Sequence, residues 1–186
     1  FEGQTYQTKM LGVHQIENAR LAILTAKHLN ERGLTIDAAG IAAGIEKAFW
    51  PGRLEKLNDE PLFFIDGAHN QIAVERLIET LEEQFGRTHY SFVIGMMKDK
   101  EYEKMIEKVW DLADRFVVVS PDPYRGFDAN AVAQMIAEKG KPAVAVENAG
   151  QVLEVIKKDS QPDDLWIQFG SLYLVGALKK AIKTNN

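Results

Sequence analysis

Beyond residue 50 the sequence alternates short apolar runs, rich in branched and aromatic side chains, with longer segments whose apolar residues recur at helical spacing. Residues 62–65, 92–94, 116–119, 143–146 and 165–169 read as buried strands, being short, bulky at Cβ and almost continuously apolar. Residues 71–85, 101–113, 128–138, 149–157 and 171–183 read as the helices between and after them. In the first helix Ile72, Ala73, Leu77, Leu81 and Phe85 form a stripe, while Glu75, Arg76, Glu79, Glu82 and Glu83 lie mostly outside it. A strand, a crossover helix and a further strand close most readily as a parallel, right-handed unit. The pattern therefore predicts an α/β fold with a Rossmann-like, mostly parallel sheet flanked by helices. Such sheets bind ligands outside the carboxyl ends of their strands, so polar motifs carry most weight there.

The first fifty residues hold less. Residues 5–10 suit a short strand, 14–30 a helix stopped by Gly33, and 37–49 a second helix ending before Pro51. One strand and two helices do not make two packed layers, so this region is underbuilt as a domain. Residue 1 is Phe rather than Met, and the chain is expected to be part of something longer.

Composition excludes several classes. Of 186 residues 46% are hydrophobic, and 22 basic against 27 acidic residues give a net charge of -5, which fits a globular chain rather than a disordered one. With no cysteine, there is no disulfide framework, thiol nucleophile, iron–sulfur cluster or Cys-type zinc site. The acidic balance argues against an extended phosphate-tracking surface for nucleic acid. No apolar stretch approaches the roughly 18 residues of a membrane span.

Four segments put polar residues at strand tips or helix starts. Asp66-Gly67-Ala68-His69-Asn70 joins the 62–65 run to the 71–85 helix. A carboxylate at a strand tip and an imidazole at a helix start suit a polar substrate; equally, Asn70 can cap the helix while Asp66 binds local amides. Pro51-Gly52-Arg53-Leu54-Glu55 presents a guanidinium suited to phosphate oxygens, or a linker whose Arg53 pairs with Glu55 or another carboxylate. In the segment from Gly12 to Ala19, Asn18 lies one helical turn beyond His14. Its amide can read an adenine edge, or these polar groups can cap a helix start. Phe169-Gly170-Ser171-Leu172-Tyr173 offers amides and a hydroxyl to a carboxylate, or a cap for the last helix. The loop Met96-Met97-Lys98-Asp99-Lys100 brings charge to another strand tip, for a substrate, a neighbouring domain or solvent. His28 and His89 have no partner at metal-ligand spacing. No phosphate loop is found, since the Gly140-Lys141 pair is followed by Pro142, so a nucleotide site here is incomplete.

Taken in order, Gly-x-His-Gln-x-x-Asn-Ala at 12–19, Pro-Gly-Arg-Leu-Glu at 51–55, Asp-Gly-Ala-His-Asn at 66–70 and Gly-Ser-Leu-Tyr-Leu at 170–174 form one set. The set resembles folylpolyglutamate synthase, with or without dihydrofolate synthase activity, of the Mur ligase superfamily. The resemblance runs through essentially the whole chain and the later part of that family's sequence. It implies that residues 1–50 are the end of a central ATP-binding domain and 51–186 the C-terminal, glutamate ligase domain. It also implies an ATP-dependent amide ligase. A substrate carboxylate is phosphorylated, the amine of L-glutamate attacks the acyl phosphate, and the tetrahedral intermediate collapses to an amide and phosphate. By motif, Asn18 would contact adenine, Arg53 the ATP phosphates and Asp66 the ribose, with His69 and Ser171 in the glutamate pocket. The implied partners are ATP, L-glutamate and folate or dihydropteroate, with Mg2+ held by ligands outside this chain. The implied setting is a cytoplasmic enzyme, monomeric at full length, and this chain alone is expected to be inactive. Two other readings share parts of the pattern: a Mur-type ligase of peptidoglycan synthesis, with the same roles for Arg53 and Asp66, and a non-catalytic Rossmann-like binding module. The Asp-Gly-Ala-His-Asn form favours the folate branch.

Overall fold

A computed structural model describes residues 1–86, 89–161 and 163–185. The chain divides into two compact units, Phe1–Pro51 and Gly52–Asn186. In the first, helices α1 (Val13–Glu31) and α2 (Ala38–Lys47) enclose a small core of Ile23, Ile41 and Ile45. Asp37 caps α2 by accepting from the Gly40 amide at 2.6 Å, and Asn30 bonds the Ile36 backbone in both directions. Residues 5–10, expected as a strand, form neither strand nor helix. A strand needs a neighbour for its backbone groups, and no described segment pairs with this one.

The second unit carries β1 (Glu55–Asp59), β2 (Leu62–Ile65), α3 (Gln71–Phe85), β3 (Tyr90–Ile94), α4 (Tyr102–Val109), β4 (Ala113–Val119), α5 (Ala129–Glu138), β5 (Ala143–Val146), α6 (Ala149–Asp159), β6 (Leu165–Phe169) and α7 (Leu172–Asn185). The sheet order is β1-β2-β6-β3-β4-β5; β1 is antiparallel to β2 and every other neighbouring pair is parallel. This is the expected mostly parallel α/β sheet. Right-handed crossovers from β2 to β3, β3 to β4 and β4 to β5 all advance in one direction, which places α3, α4 and α5 on one face. There Phe64 meets Phe85 edge-on at 5.2 Å and Phe116 stacks on Trp110 at 6.1 Å. The connection from β5 back to β6 puts α6 on the opposite face, where Val152, Ile156, Leu174, Val175 and Leu178 pack on Phe63, Ile65, Val93, Val117 and Trp166.

Three elements depart from expectation. The helix expected over 101–113 ends at Val109; Trp110–Leu112 is one 3-10 turn and Ala113 already pairs with Tyr90. Trp110 and Leu112 continue the apolar period, but Trp110 serves it by stacking beside the sheet. The 143–146 strand is an edge, so Val144 stays 43% exposed instead of buried. Strand β1, Glu-Lys-Leu-Asn-Asp, carries little apolar signal because it is an edge strand with only Leu57 packed on the core.

Candidate functional site

Strands β2 and β6 are neighbours, yet the chain leaves β2 for α3 on one face and β6 for α7 on the other. That divergence is a topological switch point, the place where an open α/β sheet leaves a crevice at its carboxyl edge. The Asp66–Asn70 loop and the Gly170-Ser171 tip flank it, joined by the Gly170 amide donating to the Ala68 carbonyl at 2.7 Å. Both glycines are crowded, and Gly170 is required, since a Cβ there would fall 2.7 Å from the Gly95 carbonyl oxygen. A Cβ on Gly67 would fall 2.4 Å from Leu172 Cδ2, and one on Gly170, at φ 112, would fall 2.6 Å from Met96 Cγ.

The turn before β1 is docked onto the same loop. Leu54 N–H donates to Asp66 Oδ2 at 2.8 Å, and Gly67 N–H donates to the Gly52 carbonyl at 2.8 Å, so Arg53 is held between two bonds to the Asp66 loop. Asp66 Oδ1 also accepts from the Ala68 amide at 2.7 Å. The local-amide reading of Asp66 is therefore realised.

Arg53 does not pair with Glu55. That carboxylate takes Lys179 Nζ at 2.6 Å and the Gly52 amide at 2.8 Å. Among the described residues the half-buried Arg53 guanidinium has no hydrogen-bond or ion-pair partner. A guanidinium offers a planar fork of donors suited to an anion's oxygens.

His69 Nδ1 lies 2.8 Å from the Gly67 carbonyl, which only accepts, so Nδ1 carries the proton and Nε2 is the other ring position open to a ligand. Asn70 caps α3, accepting from the Ala73 amide at 2.9 Å. Ser171 is buried, and its Oγ accepts from the Tyr173 amide at 3.1 Å, so it does cap α7; its hydroxyl proton remains available. Arg53, Asp66, His69 and Ser171 thus belong to one end of the second unit. Asn18 stands exposed on α1 in the first unit, donating to Gln15 Oε1 at 3.0 Å rather than capping the helix, whose N-cap Gly12 has no side-chain bond. Among the described residues no group of three or more His, Asp or Glu side chains is able to hold a metal ion. No described helix is long and apolar enough to cross a membrane.

Sequence reasoning missed two features here. Leu54 adopts φ 41 while 6% exposed, a strained turn that no residue pattern announces. Gln168, the β6 residue whose carbonyl accepts from the Asp66 amide at 2.8 Å, is wholly buried with neither side-chain polar atom partnered.

The fold defines a Rossmann-like domain with its polar loops at a switch point. The chain belongs to the Mur ligase family: residues 52–172 match the Mur ligase glutamate ligase domain. It is 33% identical to dihydrofolate synthase/folylpolyglutamate synthase of Bacillus subtilis over 95% of this chain and 41% of that one. A folylpolyglutamate synthase structure from Thermotoga maritima superposes with a TM-score of 0.80 at 30% identity, over 98% of this chain and 42% of that one. The Mycobacterium tuberculosis enzyme, complexed with ADP and AMPPCP, gives 0.79 at 26% identity, over 93% and 41%. The chain therefore spans about two fifths of the length of these relatives.

Proposed function

We propose that this chain is the glutamate-ligating part of an ATP-dependent ligase that joins L-glutamate to folate, and to dihydropteroate in a bifunctional enzyme, through an acyl phosphate. Arg53, whose backbone is pinned between two bonds to the Asp66 loop and whose guanidinium has no partner among the described residues, carries the reading. Relatives named folylpolyglutamate and dihydrofolate synthases support the substrate class, and the nucleotide complexes of the M. tuberculosis enzyme support ATP.

In this reading Arg53 offsets charge on the ATP phosphates, Asp66 accepts from ribose hydroxyls, and Asn18 contacts adenine. Bound ATP supplies the phosphoryl group that activates the acceptor carboxylate. His69, through Nε2, and Ser171, with the first amides of α7, hold the incoming glutamate so that its amine reaches the activated carbonyl. The amine loses a proton as the C–N bond forms, and the tetrahedral centre collapses with departure of inorganic phosphate. Residues 1–50 are read as the end of the central ATP-binding domain and 51–186 as the glutamate ligase domain. No Mg2+ ligand is assigned to this chain, and the chain alone is read as inactive.

The test is Arg53→Ala in a full-length ligase carrying this chain. Folding stability should stay within about 0.5 kcal/mol, because the side chain has no partner among the described residues. ATP-dependent turnover should fall about 100-fold. An unchanged rate and ATP requirement would refute the phosphate role. The chain by itself, given ATP, Mg2+, a folate and glutamate, should release no ADP.

A further inference from the structure

Beyond the residues already assigned, two loops are zipped together at the carboxyl edge. Lys98 N–H donates to the Arg125 carbonyl at 2.9 Å, Phe127 N–H donates to the Met96 carbonyl at 3.0 Å, and Met97 bridges to Gly126. The 96–98 segment follows β3 and the 125–127 segment follows β4, so this edge lies beyond β6 from Arg53 and Asp66. Met96 crowds Gly170, which makes the zipped loops direct neighbours of the Ser171 tip.

Asp122 shapes the second loop, its Oδ1 accepting from the Tyr124 amide at 2.9 Å and the Arg125 amide at 2.7 Å. Those amide bonds, Arg125 first, hold its carboxyl below the usual carboxylate range, assisted by the charges of Arg125 and Lys98. Lys98, Tyr124 and Arg125 are exposed, Tyr124 by 84%. Among the described residues neither the Lys98 nor the Arg125 side chain has a hydrogen-bond or ion-pair partner, whereas nearby Lys100 and Lys104 are paired with Asp99 and Glu101. The charges of both cations act on the Asp122 carboxylate, although neither pairs with it directly.

We infer that Lys98 and Arg125 bind α-carboxylates of γ-linked glutamate residues already on the acceptor, so that this edge is a subsite for an oligo-γ-glutamate tail. The inference rests on the proposed function. A ligase that lengthens such a tail brings its terminal γ-carboxyl to the reacting centre; each earlier residue leads away from that centre and carries one α-carboxylate. Exposed, separately mounted cations suit a repeating anion of variable length better than a closed pocket does. Exposure also keeps each contact weak, so the tail can advance after every addition. Tyr124 offers an apolar ring face to the methylenes between the carboxylates.

The test titrates this chain with synthetic tri-γ-glutamate, beside free glutamate and α-linked triglutamate, and follows backbone amide chemical shifts. Shifts are expected over residues 97–100 and 122–126. Affinity should drop about threefold in Lys98→Ala and in Arg125→Ala, drop further in the double variant, and weaken with added salt. Arg125→Lys should retain most of the affinity, and the same spectra report whether each variant is folded. Shifts confined to His69 and Ser171, an affinity indifferent to both alanine variants, or equal binding of the α-linked peptide would each overturn the tail assignment. No turnover is needed, so failure here leaves the ligase reading intact, and failure of the ATP assay leaves this binding result intact.

Discussion

The backbone amide of Leu54 donates to Oδ2 of Asp66 at 2.8 Å, twelve residues further along the chain. Leu54 sits at φ 41, a left-handed conformation that costs an L-residue about 1–2 kcal/mol. The Asp66 carboxylate thus steadies a strained turn and, through that turn, the position of Arg53. One side chain is both a strut and, in the proposed function, the group that meets the ribose.

Removing that carboxylate should therefore be felt before any ligand binds. Asp66→Ala strips the acceptor from the Leu54 and Ala68 amides, and each part-buried orphan costs about 1–3 kcal/mol. Urea denaturation should show a loss of at least about 2 kcal/mol, with Asp66→Asn intermediate because it keeps one oxygen. An alanine variant as stable as the parent would show that the turn does not depend on Asp66.

Acid should loosen the loop after β4 by a defined route. The folded Asp122 carboxyl titrates below its ordinary value of 3.8, because the Arg125 and Tyr124 amides favour its charged form. Its contribution is then fully present above that ordinary value and lost as pH falls through the lower folded one. Amide shifts of Tyr124 and Arg125 should titrate together with a midpoint below 3.8. A midpoint at or above that value would contradict the two hydrogen bonds.

The sheet was legible because β2, β3, β6 and residues 116–119 of β4 are largely buried on both faces and so carry nearly continuous apolar runs, interrupted at Ser91 and Gln168. Edges were read less well. β1 is almost wholly polar, and β5 is apolar but only half covered, since nothing requires an outer strand to match its pattern to its burial. The end of α4 was overrun because Trp110 keeps the helical period while packing beside the sheet. At the site, strand tips and helix starts could be read from residue order, which is why Asp66, His69 and Ser171 stood out. Pairings between distant segments could not: Lys179 claiming Glu55, or Lys98 lying against Arg125, depends on which loops the topology makes neighbours.

At the opposite end of the sheet, Arg115 joins four segments. Its guanidinium lies 4.7 Å from the centre of the Trp166 ring, Nε donates to Ser91 Oγ at 2.8 Å, Nη1 donates to the Asp159 carbonyl at 2.9 Å, and Nη2 pairs with Asp164. Arg115→Ala should cost about 2–3 kcal/mol in chemical denaturation, leaving a partly buried carboxylate uncompensated and the indole face uncovered. Arg115→Lys should recover only part, because an ammonium does not reproduce the planar fork. Equal stability of the lysine variant and the parent would rule out that geometric role.

Gln168 presents the reverse case, a polar group whose removal should help. In register it lies between Ile65 of β2 and Val93 of β3, wholly buried, with neither Oε1 nor Nε2 partnered among the described residues. A buried amide without partners forfeits its hydration with no return, at about 1–3 kcal/mol. Leucine has similar bulk and no such requirement, and the Gln168 carbonyl that receives the Asp66 amide belongs to the backbone and survives the exchange. Gln168→Leu should therefore raise stability by about 1–2 kcal/mol and the melting temperature by roughly 2–6 °C. A variant that melts at or below the parent temperature would mean that the amide is satisfied in solution, and the stabilisation argument would fail.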